Sequence, residues 1–231
     1  MVVRFEPPSH SRVNVPNGDI GHWTLDIGHL MLRVGLTGSI GVGKTFVTGV
    51  LAELGCHVLD ADELAREVVT PGSPALERVV AAFGRQVLRD DETLDRAKLG
   101  SIVFADSAKR QLLNSILHPY IVAEQDLRLR EWEAEDPDGI GVVDAALMIE
   151  SGGYQRFDKL IVVHCRPEVQ LERLMLRNAL TRDQAEQRVS AQMDQEEKKK
   201  FADYLIDTSD GFESTRLQTE AVYQKLRSDV R

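Results

Sequence analysis

Short apolar runs alternate along this chain with longer stretches of helical period. Residues 33–36, 57–60, 141–144, 160–163 and 204–207 are of strand length, and the middle runs Gly141-Val142-Val143-Asp144 and Leu160-Ile161-Val162-Val163 carry the β-branched residues typical of buried parallel strands. Between them the period changes. Phe46, Val47, Val50, Leu51 and Leu54 recur at helical spacing, as do Leu76, Val79, Val80 and Phe83, and then Leu112, Leu113, Ile116 and Leu117. Ser73 before Pro74 reads as a cap followed by a first helical position, and His118-Pro119 is expected to interrupt the helix before it. Residues 63–138 are therefore expected as a helical insertion without a sheet strand. Leu217, Val222 and Leu226 mark a closing helix. Strands alternating with helices predict an α/β fold, a parallel sheet covered on both faces, with its site beyond the carboxyl ends of the strands.

One turn in this pattern carries specific chemistry. Gly38-Ser39-Ile40-Gly41-Val42-Gly43-Lys44-Thr45, set between the first strand and the first helix, fits G-x-x-x-x-G-K-[ST]. Such a loop turns its N–H groups inward, and the helix behind it adds a positive dipole end, so it cradles a polyphosphate. Gly38, Gly41 and Gly43 permit the close wrap, Lys44 reaches the β- and γ-phosphates, and the Thr45 hydroxyl is placed to ligate magnesium.

Carboxylates follow at the ends of later strands. Asp60 and Asp62 share a face if the strand persists, and a carboxylate there can orient an attacking hydroxyl; Asp62 can equally cap the helix that starts at Glu63. Asp144 reads either as a magnesium-side carboxylate or as a solvated strand-end acid, and Glu150 either as facing the same cleft or as solvated. His118, before a proline, reads first as structural. Beyond Pro167, Arg173 and Arg177 lie one turn apart, Asn178-Ala179-Leu180 breaks the run, and Thr181 with Gln184 fits a capping box that opens a helix bearing Arg188 and Gln192. Guanidinium groups on two hinged helices over residues 173–196 would form a lid closing on a triphosphate; the alternative is a solvated face. Lys198-Lys199-Lys200 reads as a cationic helix end.

Composition narrows the partners. The 231 residues suit one domain with an insertion, and 28 basic against 37 acidic residues, a formal charge of −9, argue against nucleic acid or an anionic membrane. Cys56 and Cys165, far apart and outside any C-x-x-C, suggest neither a disulfide framework nor zinc, and fit a cytoplasmic setting. Residues 1–30 read as an irregular extension, or as the product of a misplaced start given Met31 directly before the first strand; 31–231 form the expected domain.

From Leu32 onward the chain resembles the dephospho-coenzyme A kinase family. The loop GSIGVGKT, the Asp60-Ala61-Asp62 triplet, AREVV followed by PGSPAL, Leu117-His118-Pro119, the lid pattern ending at Gln192, and Ala202-Asp203 with Ile206-Asp207 carry the likeness in order. The resemblance implies a phosphate-loop kinase fold with a helical acceptor domain and a lid, which uses ATP and magnesium to phosphorylate the ribose 3′-hydroxyl of dephospho-coenzyme A. It implies ATP contacts at Gly38, Ser39, Gly41, Val42, Gly43, Lys44, Thr45, Phe46 and Arg177, catalytic roles for Lys44, Asp62 and Arg177, and acceptor contacts at Asp62, His118 and Glu150. Two departures stand out: Ala145-Ala146-Leu147 lacks the family's usual proline, and Thr208-Ser209 replaces its asparagine near the adenine end. Another small-molecule kinase of the same fold, or an ATP-binding regulator without transfer, are the competing readings. The guanine tetrad N-K-x-D of a small GTPase does not occur.

Overall fold

The computed structural model describes residues 31–104 and 106–230; the extension expected over 1–30 lies outside them. Five strands, β1 (Leu32–Thr37), β2 (His57–Asp60), β3 (Ile140–Asp144), β4 (Lys159–His164) and β5 (Tyr204–Asp207), fall on the five predicted runs. They form one parallel sheet in the order β2-β3-β1-β4-β5. The order reverses at β1, so a crevice opens beyond the carboxyl ends of β1 and β3, where the phosphate loop and Asp144 emerge.

Strand alternation sorts the core into two layers. Val34, Leu36, Val142, Ile161, Val163 and Ile206 pack with α1 (Lys44–Glu53) and α9 (Gly211–Asp229) on one face. Val143, Leu160 and Val162 face the other way, against Leu129, Met148 and Ile149. Gly35 belongs to this second face, where a Cβ would come within 2.6 Å of the Met148 sulfur.

Among the described residues, the elements between β2 and β3 are helices joined by turns, with a lone bridge at Leu88 and Leu94: α2 (Ala61–Glu67), α3 (Pro74–Phe83), a 3-10 turn at Arg85–Val87, α4 (Arg96–Phe104) and α5 (Ser107–Glu135). Leu76, Val79, Phe83, Val87 and Leu99 give this region its own core. Ser73 caps α3 as expected.

The expected break at Pro119 does not occur, because α5 runs through it for 29 residues. A proline inside a helix costs about 3 kcal/mol. The helix is held on both sides of it, by Leu113, Ile116 and Leu117 against the insertion core and by Leu129 against the sheet, so packing outweighs the local penalty. Two apolar assignments were too generous: Leu112 and Leu217 face solvent. After β4 come α6 (Pro167–Asn178), α7 (Arg182–Ser190) and α8 (Gln195–Lys199), with Ala179 in the left-handed region where the break was expected and the Thr181–Gln184 capping box formed. No helix among the described residues is long and apolar enough to cross a membrane.

Candidate active site

The phosphate loop is shaped by two glycines and fastened from outside. Gly41 and Gly43 sit at φ 82° and 89°, and a Cβ on Gly41 would meet Leu174 at 2.8 Å, so neither place tolerates a side chain. Gly43 caps α1 from the left-handed region, leaving the first N–H groups of the helix without a side-chain partner. Four side chains from distant elements hold the loop. Ile40 donates its N–H to Gln192 Oε1 at 2.8 Å, while its carbonyl accepts from Gln170 Nε2 at 2.7 Å. Thr208 donates its hydroxyl to the Val42 carbonyl at 2.6 Å, and Arg173 donates to both Thr208 Oγ1 and its carbonyl.

This last clasp answers the departure at Thr208: a buried threonine ties the end of β5 to the loop. The same bonds fix the Arg173 guanidinium on Thr208, beside the cavity it lines with Arg177. Gln192 lies beyond α7 rather than on one face of it with Arg188, which is exposed on that helix.

Two overlapping cavities border the loop, and a third lies away from it beside α5. One of about 320 Å³ is lined by Lys44, Thr45, Asp60, Asp62, Asp144 and Arg177, with Ile40, Gly41, Ala146 and Gln192. A second, about 640 Å³, shares Gly41, Thr45 and Arg177 with it and continues along Phe46, Leu176, Thr208 and Phe212. The rings of Phe46 and Phe212 are 4.8 Å apart, and Phe212 is largely exposed. The third, about 490 Å³, is lined by Ala65, Asn114, Ser115, His118, Ile121 and Ser151.

The strand carrying Asp60 does not persist to Asp62. Asp60 is itself the cap of α2, accepting from the N–H groups of Asp62 (2.7 Å) and Glu63 (3.1 Å), because a carboxylate at a helix start satisfies groups that have no partner. Asp62 is thus in the first turn of α2, not its cap, and its carboxylate lines the cleft with Lys44. Arg177, from the last turn of α6, lines both the cleft and the large cavity.

Asp144 is the most perturbed acid of the site. Burial, offset by Lys44 at 3.9 Å and reinforced by Asp60 and Asp62, pushes its carboxyl up to about 6. Its Oδ1 is buried and has no hydrogen-bond partner among the described residues. An orphaned carboxylate oxygen in the same cleft as a threonine hydroxyl matches the hard-oxygen preference of magnesium, which keeps most of its waters and needs few protein ligands.

His118 lines the third cavity, whereas Glu150 lines none of the three. Its Oε1 accepts from the Met193 N–H at 3.2 Å and from Lys198 Nζ at 2.9 Å. Lys198 lies in the last turn of α8, as a helix-end charge would, but its side chain is wholly buried. Cys56 is inert, its thiol pushed up to about 12 by burial.

Comparison with known proteins places this geometry. The family model for dephospho-CoA kinase matches residues 32–213. The dephospho-CoA kinases of Carboxydothermus hydrogenoformans and Leifsonia xyli are 44% and 41% identical, over 84% and 85% of this chain and 94% and 100% of their own. A dephospho-CoA kinase structure from Campylobacter jejuni superposes with a TM-score of 0.66 at 28% identity, and a Thermus thermophilus structure with 0.73 at 27%; each covers 85% of this chain and 98% of that one.

Proposed function

Because the chain belongs to the dephospho-CoA kinase family and so acts at the last step of coenzyme A biosynthesis, we propose that it moves the γ-phosphoryl group of ATP onto the ribose 3′-hydroxyl of dephospho-coenzyme A within the cleft between Lys44 and Asp62. The observation that carries this reading is the meeting of an acid, two cations and an orphaned carboxylate at one end of a larger apolar-walled cavity.

ATP would lie with its base between the Phe46 and Phe212 side of the large cavity and α6, and its phosphates in the loop. Thr45 and Asp144 would hold magnesium, which when bound neutralises charge on the β- and γ-phosphates. The acceptor would enter past His118, between α2 and α5, and present its hydroxyl to Asp62.

Asp62 takes the proton as the 3′-oxygen attacks the γ-phosphorus, and the bond from phosphorus to the bridging oxygen breaks to release ADP. Lys44 and Arg177 face the charge that spreads over the transferring group; Arg177 stays charged throughout and offers paired donors. Arg177 follows directly from the seam it occupies between the two cavities. The insertion over 63–138 is the acceptor side in this reading, and the segment 173–196 the lid, with Arg177 rather than Arg173 or Arg188 as its working cation. Both thiols are buried and free, in keeping with a cytoplasmic setting.

The test is ADP formation with and without dephospho-coenzyme A. Acceptor-dependent ADP, with phosphate appearing on the 3′-oxygen, supports transfer. ATP binding without acceptor-dependent turnover would instead indicate a nucleotide-binding regulator, and turnover with a different hydroxyl acceptor another small-molecule kinase.

A further inference from the structure

Lys198 is the largest fully buried side chain of the protein's described part, a rare place for an ammonium group. Its charge is matched with care. Nζ donates to the Ala146 carbonyl at 2.8 Å and pairs with Glu150 Oε1 at 2.9 Å. The same carboxylate oxygen accepts from the N–H of Met193, just before α8, so one atom joins the end of the lid segment to the turn that follows β3. That turn is also tied to β1, since Thr37 Oγ1 bonds the carbonyls of Ala145 and Ala146.

The clamped turn borders both working surfaces. It begins at Asp144, its Ala146 lines the catalytic cleft, and Ser151, one residue past Glu150, lines the third cavity. Apolar groups in place of both partners would pack about as stably, because desolvating an ion pair costs about what the pair returns, whereas removing Lys198 alone leaves Glu150 and the Ala146 carbonyl without their donor. What the charge adds is direction. We propose that Lys198 is a positioning residue, which through Glu150 and Ala146 sets the turn after β3 against the root of the lid, so that Asp144 and the acceptor wall are aligned when the lid closes. This rests on the kinase reading above.

The test uses the full chain and steady-state turnover of ATP with dephospho-coenzyme A, well below each variant's melting temperature. Lys198→Met is expected to lower kcat by ~10- to 100-fold, the scale of a misplaced reacting group, while the KM for ATP moves less than about threefold because the loop's ties to Gln170 and Gln192 remain. Glu150→Ala should do the same, and Glu150→Gln, which keeps the accepting oxygen, should recover most of what the alanine variant loses. Lys198→Met with a lowered melting temperature but wild-type kcat would overturn the proposal. Should that variant fail to fold, the Glu150 pair decides: equal kcat in the alanine and glutamine variants, whether high or low, overturns the clamp, and a higher kcat for glutamine supports it. Absence of acceptor-dependent turnover in the unmodified chain is a separate result, and would strike the kinase reading instead.

Discussion

The regions proposed to hold the nucleotide and the acceptor are built differently. On the nucleotide side, the loop is held by Gln170, Gln192, Thr208 and Arg173, each reaching across more than thirty residues or from another element. On the acceptor side, the polar groups lining the cavity at His118 are tied only locally, as with Ser115 to Leu112 and Ser151 to Met148. A triphosphate has a fixed shape and dense charge, so donors aimed in advance lose nothing to reorganisation. A long, jointed acceptor gains more from an adaptable wall, with orientation imposed at its reacting hydroxyl alone. Damage on the first side should therefore appear in kcat, and damage on the second in the KM for acceptor.

The sharpest break comes from Lys44→Ala. Loss of one preorganised charge facing the transferring group costs on the order of 10²–10³ in rate, and the fold should survive because Lys44 makes no hydrogen bond in the core. A folded variant with near-normal turnover would remove the phosphate loop from the mechanism. Asp62→Asn comes next. The amide keeps the shape but cannot take the proton, so turnover should fall by about 10²-fold with ATP affinity unchanged in a nucleotide titration. Since Asp60 is the cap of α2, the melting temperature should barely move; a large drop there, with turnover per folded molecule intact, would return Asp62 to a structural role.

His118→Ala tests the other half of the comparison and should be milder. Removing one wall of the acceptor cavity is expected to raise the acceptor KM several-fold, about 1 kcal/mol, with kcat and the KM for ATP nearly constant. A fall in kcat comparable to that of Asp62→Asn would mean that the acceptor side is as tightly organised as the nucleotide side.

How much of this could be read from residues alone follows the same division. The five strands and the loop were legible because their cues are local: β-branched runs, glycines, and a lysine at fixed spacing. Pro119 misled because the contacts that keep α5 continuous, at Leu113 and at Leu129, lie on either side of it in a 29-residue helix packed on two different cores. The exchange of roles between Asp60 and Asp62 turned on where α2 starts, at Ala61 rather than Glu63, a shift of two residues. The contacts of Thr208, Gln170 and Lys198 were not legible, since their partners lie 166, 130 and 52 residues away in sequence. Lys198 is followed by two lysines that do behave as half-exposed or exposed helix-end charges, paired with Glu196 and Glu197, which hides it within its own run.

Asp144 lies on the seam between the two sides and gives the smallest, most sensitive test. Its carboxyl is raised from 3.8 to about 6 in the folded chain, chiefly by burial. The folded state therefore holds this proton more tightly than the unfolded one, and the sign follows: below pH ~4 the group is protonated in both states and costs nothing, between pH 4 and 6 stability is lost as pH rises, and above 6 the penalty is constant at no more than about 3 kcal/mol. Asp144→Asn has no such titration. The melting temperature of ligand-free Asp144→Asn, relative to the unmodified chain, should rise between pH 4 and 6 and level off above, by several degrees at ~2–4 °C per kcal/mol for a domain of this size. Any constant cost of the buried amide shifts both ends of that curve equally. Adding magnesium and ATP at pH 8 should narrow or reverse the gap, because the orphaned Oδ1 then stabilises a bound cation in the unmodified chain alone. A difference that stays flat with pH would mean that burial at the end of β3 does not hold a charge in reserve for the metal.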